Sequence, residues 1–385
     1  MGKWTRVRLG DVATVVSGST PKTNVNEYWN GNNYWVTPAE INDESMFIYE
    51  TKRKITEKAI IDTNLKLLPK GTVLLTSRAP IGKVAIAGAE MYCNQGFKNL
   101  ICSDRLNNEY LYWYLKSKNE YLNSLGRGAT FKEISKSIVE SIEITLPPVD
   151  VQIEIAKQLG QTKETQKSYN RLIDYFDNLA KSIFLNMFGD PRTNEKGWAF
   201  KKILDVSLEG LSYGSGASAV PYDGVTRYIR ITDIQDDGSL SDQPVSPSEV
   251  SEKHFLEDGD ILFARSGATV GKTFKYSKNY GRSIYAGYLI RMKPDPTQVH
   301  PDYVFGFTKT EYYRQFIESN KKTVAQPNIN AQQYGNLLIP VPPLELQNRF
   351  AEIVSKIEEQ KALIKKAIEE TQLLFDSLMS KYFDD

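Results

Sequence analysis

Two hydrophobic rhythms run through this chain. Short apolar runs entered by glycine, such as "GTVLL" at 71–75 and "GDILF" at 259–263, predict buried strands. Elsewhere apolar or seam-like residues recur at alternating steps of three and four: Phe350, Ile353, Ile357, Gln360, Ile364, Ala367, Thr371, Leu374 and Leu378. That spacing is a coiled-coil seam on a helix from about Glu345 to Lys381. Moved back by 195 residues, the register falls on Ile155, Gln158, Thr162, Thr165, Tyr169, Leu172, Phe176, Leu179 and Ile183, and it is apolar from Tyr169 onward. Proline pairs at 147–148 and 342–343 set the helix starts, since proline is tolerated at or before a first turn. Gly189, Asp190 and Pro191 stop the first helix. Each helix is expected to hold about 37 residues and to reach about 55 Å.

The shared register belongs to a repeat of the whole chain. "KWTRVRLGDVA" from Lys3 returns as "GWAFKKILDVS" from Gly197. "LPKGTVLLTSRAPIGKVA" (68–85) parallels "LEDGDILFARSGATVGKT" (256–273), and "GATFKEIS" (128–135) takes the place of "VAQPNINA" (324–331). The closest pair is "IEITLPPVDVQIEIA" (142–156) and "NLLIPVPPLELQNRFA" (336–351), where a glutamine follows the first proline by five residues. The expected fold is α+β. Two globular mixed α/β domains, 1–147 and 189–341 (the second entered through a linker, 189–197), alternate with spacer helices at 148–188 and 342–385. The helices are expected to pair antiparallel as a coiled coil, with pseudo-twofold symmetry between the halves.

The repeat settles one motif. "ARSGATVGKT" at 264–273 resembles a phosphate loop, but only three residues separate Gly267 from Gly271, and a strand-like segment follows in place of a helix. Its counterpart, "SRAPIGKVA", lacks the first glycine and has Val84 for the threonine. Both copies read as a hairpin turning at Gly82 or Gly271 and carrying Arg78 and Lys83, or Arg265 and Lys272.

Composition adds bounds. At 385 residues, 41% hydrophobic and 25% charged, the chain has the make-up of a soluble globular protein of two or three domains. No apolar run reaches membrane length, and "MGKWTRVRLGDV" lacks the apolar core of a signal peptide, so the expected compartment is the cytoplasm. Cys93 and Cys102 are expected to be plain thiols, with a disulfide between them as the alternative. With only His254 and His300 besides, neither a metal site nor a histidine base is indicated. The net charge of +1 excludes a uniformly basic coat and leaves room for local basic patches.

No catalytic set emerges. "LPPV" and "VPPL" lack the polar residue before and the aromatic after that an adenine methyltransferase needs, and "SYGSGAS" (212–218) reads as a flexible surface loop. Glu50-Thr51-Lys52 has no upstream Pro-Asp to complete a nuclease motif. Binding residues are plentiful by contrast. Aromatics mix with amides and basic groups in "NEYWNGNNYW" (26–35), "CNQGFKN" (93–99), "SLGRGATFKE" (124–133), "TRYIRITDI" (226–234) and "NKKTVAQPNIN" (320–330). Lys and Arg neutralise phosphates, whereas Asn, Gln and Arg read base edges. The candidates in the first copy are Arg78, Lys83, Gln95, Lys98, Arg127, Thr130 and Lys132. In the second they are Arg227, Arg230, Arg265, Lys272, Lys321, Gln326, Asn328 and Asn330.

At "LPPVDVQIEIA" and "VPPLELQNRFAEI", with the linker "MFGDPRTNEKGW" (187–198) and the loops reaching Arg78 and Arg265, the chain resembles the specificity subunits of type I restriction–modification enzymes. The resemblance covers essentially the whole chain. "GATFKEIS" departs from the amide-bearing wording of the family, which "AQPNIN" keeps. It implies a chain that performs no chemistry and needs no cofactor. Each globular domain would read one half of a split, asymmetric target in double-stranded DNA. The helices would set the unread gap and dock two methyltransferase subunits, and through these the restriction and translocation subunits. A coiled-coil adaptor for proteins without DNA specificity, or an enzyme with an unrecognised site, would be separated from this by a gel shift on random duplex and by S-adenosylmethionine binding.

Overall fold

The computed structural model describes residues 4–42, 45–78, 80–127, 132–321 and 328–384. The chain divides into two compact units, Met1–Ser168 with Ile368–Asp385 and Tyr169–Ala367. The divisions fall inside the long helices Val149–Phe188 and Leu344–Phe383, so each unit owns half of each. At 40 residues each helix is about 60 Å long.

The first unit holds a five-stranded sheet in the order Ala13–Ser17, Lys98–Cys102, Val73–Leu75, Val84–Ala87, Phe47–Ile48. A four-stranded sheet in the second unit repeats its centre: Ser212–Tyr213, Leu289–Met292, Ile261–Ala264, Thr273–Lys275. The hairpins superpose bond for bond. Thr76 N–H donates to Lys83 O at 2.9 Å and Gly82 N–H to Thr76 O at 3.0 Å; Ala264 to Lys272 and Gly271 to Ala264 repeat both distances. Gly82 and Gly271 sit at φ +87° and +90°, a region costly for any residue with a Cβ. The turn is structural, as the repeat requires.

In each unit the entry strand pairs antiparallel with the strand just before the proline pair: Thr5–Arg8 with Glu143–Leu146, and Phe200–Lys202 with Leu338–Pro340. The glutamine after the prolines locks this joint. Gln152 is fully buried; its Oε1 accepts from Asn107 N–H at 2.8 Å, and its Nε2 donates to Arg105 O and Pro147 O. Gln347 makes the same three bonds, to His300 N–H, Gln298 O and Pro342 O. A side chain with one acceptor and two donors thereby satisfies three main-chain groups, one of them, the Pro147 or Pro342 carbonyl, in a buried bond.

Within each unit the two half-helices run antiparallel. In the first, Gln158 meets Tyr382, Lys163 lies 5.4 Å from the Phe375 ring, and Gln166 donates to Gln372 at 2.7 Å. In the second, Asp177 meets Lys361 at 2.7 Å and Phe184 packs edge-on against Phe350. The seam is corrected in phase. Ile155, Tyr169, Phe176, Ile183, Phe350, Ile357, Ile364 and Leu378 are buried or half-buried, whereas Leu172, Ile353 and Leu374 are exposed. The inward residues are Leu159, Gln166, Ile173, Ala180, Val354, Lys361 and Phe375, so the steps from Ile155 and from Phe350 run four then three. Leu179 lies half-buried beside this line. Adjacent apolar residues (Leu172 and Ile173, Ile353 and Val354, Leu374 and Phe375) leave the phase open in sequence, and inward Lys361 and Gln166 look like surface.

Each helix end is built into a domain core. Tyr110, Trp113 and Tyr114 of the first unit surround Phe375 and Phe383, while Tyr303 of the second packs on Phe184 and Phe188. Burying each such ring contributes about 1.5–3 kcal/mol.

Candidate nucleic-acid interface

The matching hairpins place one loop position of each unit at the same point. Glu133 bridges Arg78 through the backbone and Asn328 bridges Ser266. Ile134 N–H donates to Ser77 O at 2.9 Å and Ile329 N–H to Arg265 O at 2.8 Å. Ser135 and Asn330 then cap the helices Lys136–Ser141 and Ala331–Gly335. Glu133 is therefore the counterpart of Asn328, and Arg265 that of Ser77. Arg78 and Arg265 are one position out of step, which the sequence pairing missed. "GATFKEIS" and "VAQPNINA" likewise align one residue away from where the wording suggested.

In the first unit Arg78 reaches Glu133 at 2.9 Å and Lys98 reaches it at 3.0 Å. Burial on its own would raise the Glu133 carboxyl, but hydrogen bonds from Lys98 and Arg78 hold it below the usual carboxylate range. Lys98 is buried, with Ser77 Oγ 3.4 Å away. Arg127 exchanges both backbone bonds with Glu133 and has an exposed side chain, as does Lys132. Lys83 is half-buried and donates to Ile41 O at 3.0 Å. Gln95 is exposed and accepts from Thr20 Oγ1. Thr130 lies outside the described residues, as does Gln326 of the second copy.

In the second unit Arg265 Nε donates to Asn328 Oδ1 at 3.2 Å, and its guanidinium lies 4.7 Å from the Tyr213 ring centre. Tyr213 is itself anchored, its hydroxyl accepting from Ala331 N–H. The "SYGSGAS" segment is thus no free loop: Ser212–Tyr213 is a strand, and a Cβ on Gly214 would lie 2.3 Å from Tyr285 O. Lys272 copies Lys83 by donating to Ile234 O, with Asp236 at 2.9 Å. Arg227 donates to Ser241 O, and Arg230 is paired with Asp233 at 2.7 Å. Lys321 pairs with Glu318 one turn back. Asn330 spends its Oδ1 on the Gln333 N–H as a helix cap.

The structure thus gathers Arg78, Lys98, Arg127 and Lys132 around Glu133, and sets Arg265 with Tyr213 against Asn328. It holds Lys83, Lys272, Arg227, Arg230 and Asn330 in bonds of the fold. Several aromatic-rich stretches also go to packing: Trp35 and Asn99 are buried, and Arg53 stacks 3.8 Å over Trp29. Sequence reasoning passed over Glu133 and Tyr213. The signal for Glu133 was its place two residues before a helix-capping serine, as Asn328 stands before Asn330.

Groups with other chemistry are committed elsewhere. Burial pushes the Cys93 and Cys102 thiols up to about 12, and both cysteines are free. Burial lowers both histidines, and His300 Nδ1 accepts the Asp302 N–H as a cap. Among the described residues no cluster of three or more His, Cys, Asp or Glu could hold a metal ion, and no helix is long and apolar enough to cross a membrane.

The family model described as "Type I restriction modification DNA specificity domain" matches twice, over residues 1–174 and 195–372. The chain belongs to this family. It is 27% identical to the type I restriction enzyme MjaIX specificity subunit of Methanocaldococcus jannaschii, over 98% of this chain and 92% of that one. It is 22% identical to the EcoKI specificity subunit of Escherichia coli K12, over 99% and 88%. The type I restriction–modification S subunit from M. genitalium has a similar fold, with a TM-score of 0.62 at 16% identity, covering 99% of this chain and 96% of that one. A second chain, from work on complex assembly and conformational transition of the type I R-M system, gives 0.61 at 17%, covering 100% and 98%.

Proposed function

We propose that this chain is the non-catalytic, DNA-reading subunit of a type I restriction–modification enzyme. Domains at 1–147 and 189–341 each read one half of a two-part, asymmetric word in double-stranded DNA. The helices from 148 and 342 dock two methyltransferase subunits and, through them, the restriction and translocation subunits. The work is cytoplasmic, where the DNA is. One observation carries the reading: a scaffold repeated down to the three bonds of Gln152 and Gln347 bears different chemistry at equivalent positions, partly exposed Glu133 against exposed Asn328 and buried Ser77 against half-buried Arg265. Duplicated scaffolds with diverged surfaces suit two different half-sites. A protein-only adaptor has less use for basic residues set against the same loop position in both domains, Arg78 and Lys98 on Glu133 and Arg265 on Asn328.

The test is to sequence methylated adenines in cells carrying the chain with its methylating partner. A two-part word that disappears without the chain is expected, and the purified chain alone should methylate and cleave nothing. Methylation of the same word by the partner alone would refute the reading.

A further inference from the structure

Glu133 and Asn328 share one scaffold position but not one chemistry, and each is held by basic groups. Glu133 carries Arg78 at 2.9 Å and Lys98 at 3.0 Å, its side chain about one third exposed. A bare carboxylate would be repelled by DNA phosphates; two cations on it leave the trio net positive, so it can enter a groove. Asn328 is exposed and takes the Arg265 Nε–H on its Oδ1. That bond identifies the oxygen end of the amide and leaves its two N–H donors at the other end. Both positions are fixed by backbone bridges to the hairpin, so neither depends on a free loop for its placement.

We propose that 133 and 328 are the equivalent base-reading positions of the two domains, Glu133 accepting from the exocyclic amino group of a cytosine and Asn328 forming the donor–acceptor pair that fits the N6/N7 edge of an adenine. This rests on the DNA-reading function proposed above. Lys98 is then a positioning residue that keeps the carboxylate ionised and aimed. Exposed Arg127 and Lys132 lie beside it, placed for phosphates.

The experiment assembles the full chain with its methylating partner in cells and sequences methylated adenines for wild type, Glu133→Gln and Asn328→Asp. Glu133→Gln should lose discrimination at one base pair of one half-site by about 10- to 100-fold, and Asn328→Asp at one base pair of the other. All remaining positions should stay fixed. An unaltered word from both variants overturns the proposal and leaves the DNA-reading function standing; a wild-type complex with no two-part word overturns both. Glu133→Asp and thermal unfolding run alongside. If Glu133→Gln unfolds early and methylates an unchanged word more weakly, while Glu133→Asp restores stability and yield, Glu133 serves the fold and its half of the proposal is lost.

Discussion

Single side chains carry the most repeated features of this chain, and the two glutamines are the clearest. Replacing Gln152 or Gln347 by Ala would leave one N–H and two carbonyls without this partner, of which the Pro147 or Pro342 carbonyl is buried, at about 1–3 kcal/mol for a buried group left unpaired. Each variant should lower the unfolding temperature, by an effect of about 1–3 kcal/mol; a change within error would mean that water takes over the bonds. The sequence marked these residues by spacing alone, because an amide five residues after a proline has no local reason to be there. It could not mark Asp260. Burial raises this carboxyl to about 6, against hydrogen bonding from Glu257 N–H and the charge of Arg291. A folded pKa above the unfolded one stabilises most below about pH 4, and that share is lost as pH rises through about 6. Asp260→Asn should therefore gain on wild type between pH 4 and 7, by up to about 3 kcal/mol. The same position in the first unit is Thr72, whose hydroxyl donates to Pro69 O, so Thr72→Val should show no such pH dependence. Parallel curves for Asp260→Asn and wild type across that range would show that Asp260 is ionised without penalty.

At the level of elements, periodicity foretold the long helices, their proline starts and their antiparallel pairing, yet placed alternate seam positions one residue early. A helix face is about 100° per residue, so a one-residue error turns a side chain from the partner helix toward water. The two phases make opposite predictions. Phe375 packs on Trp113 at 5.6 Å and beneath Lys163, whereas Leu374 is 53% exposed. Phe375→Ala should cost about 2–4 kcal/mol in chemical denaturation, and Leu374→Ala less than about 0.5 kcal/mol. Equal costs would restore the earlier phase. Lys361 shows why the pattern misled: it is buried in the seam and held by Asp177 and Glu358. Lys361→Ala should destabilise by about 1–3 kcal/mol, through lost packing of its buried stem and the loss of its charge-assisted bond to the partly exposed Asp177, while Lys361→Leu with Asp177→Leu should be near neutral or stabilising.

For the whole molecule, duplication is both what the sequence displays best and what makes the proposed recognition surface hard to read. Core and joint residues recur because both copies must bury the same groups. Residues outside the shared core and joints are free to diverge, so the pairing of Arg78 with Arg265 failed where the scaffold pairing held. The joints fall at Trp4 and Trp198 on entry, and at Thr145 and Pro340 on exit, where Tyr110 and Tyr303 donate to the carbonyls. A second copy of residues 4–145 in place of 198–340 should therefore meet matching backbone partners at both ends. A mismatch lies at Gly306. Trp113 would replace Gly306, where even a Cβ would lie 2.8 Å from the Phe184 ring and 3.1 Å from Phe350, so the graft must carry Trp113→Gly. With that change the chain should still support methylation, and its word should hold the first half-site twice, with the second half-site gone. A folded, active graft that kept the original asymmetric word would show that the domains do not choose the half-sites.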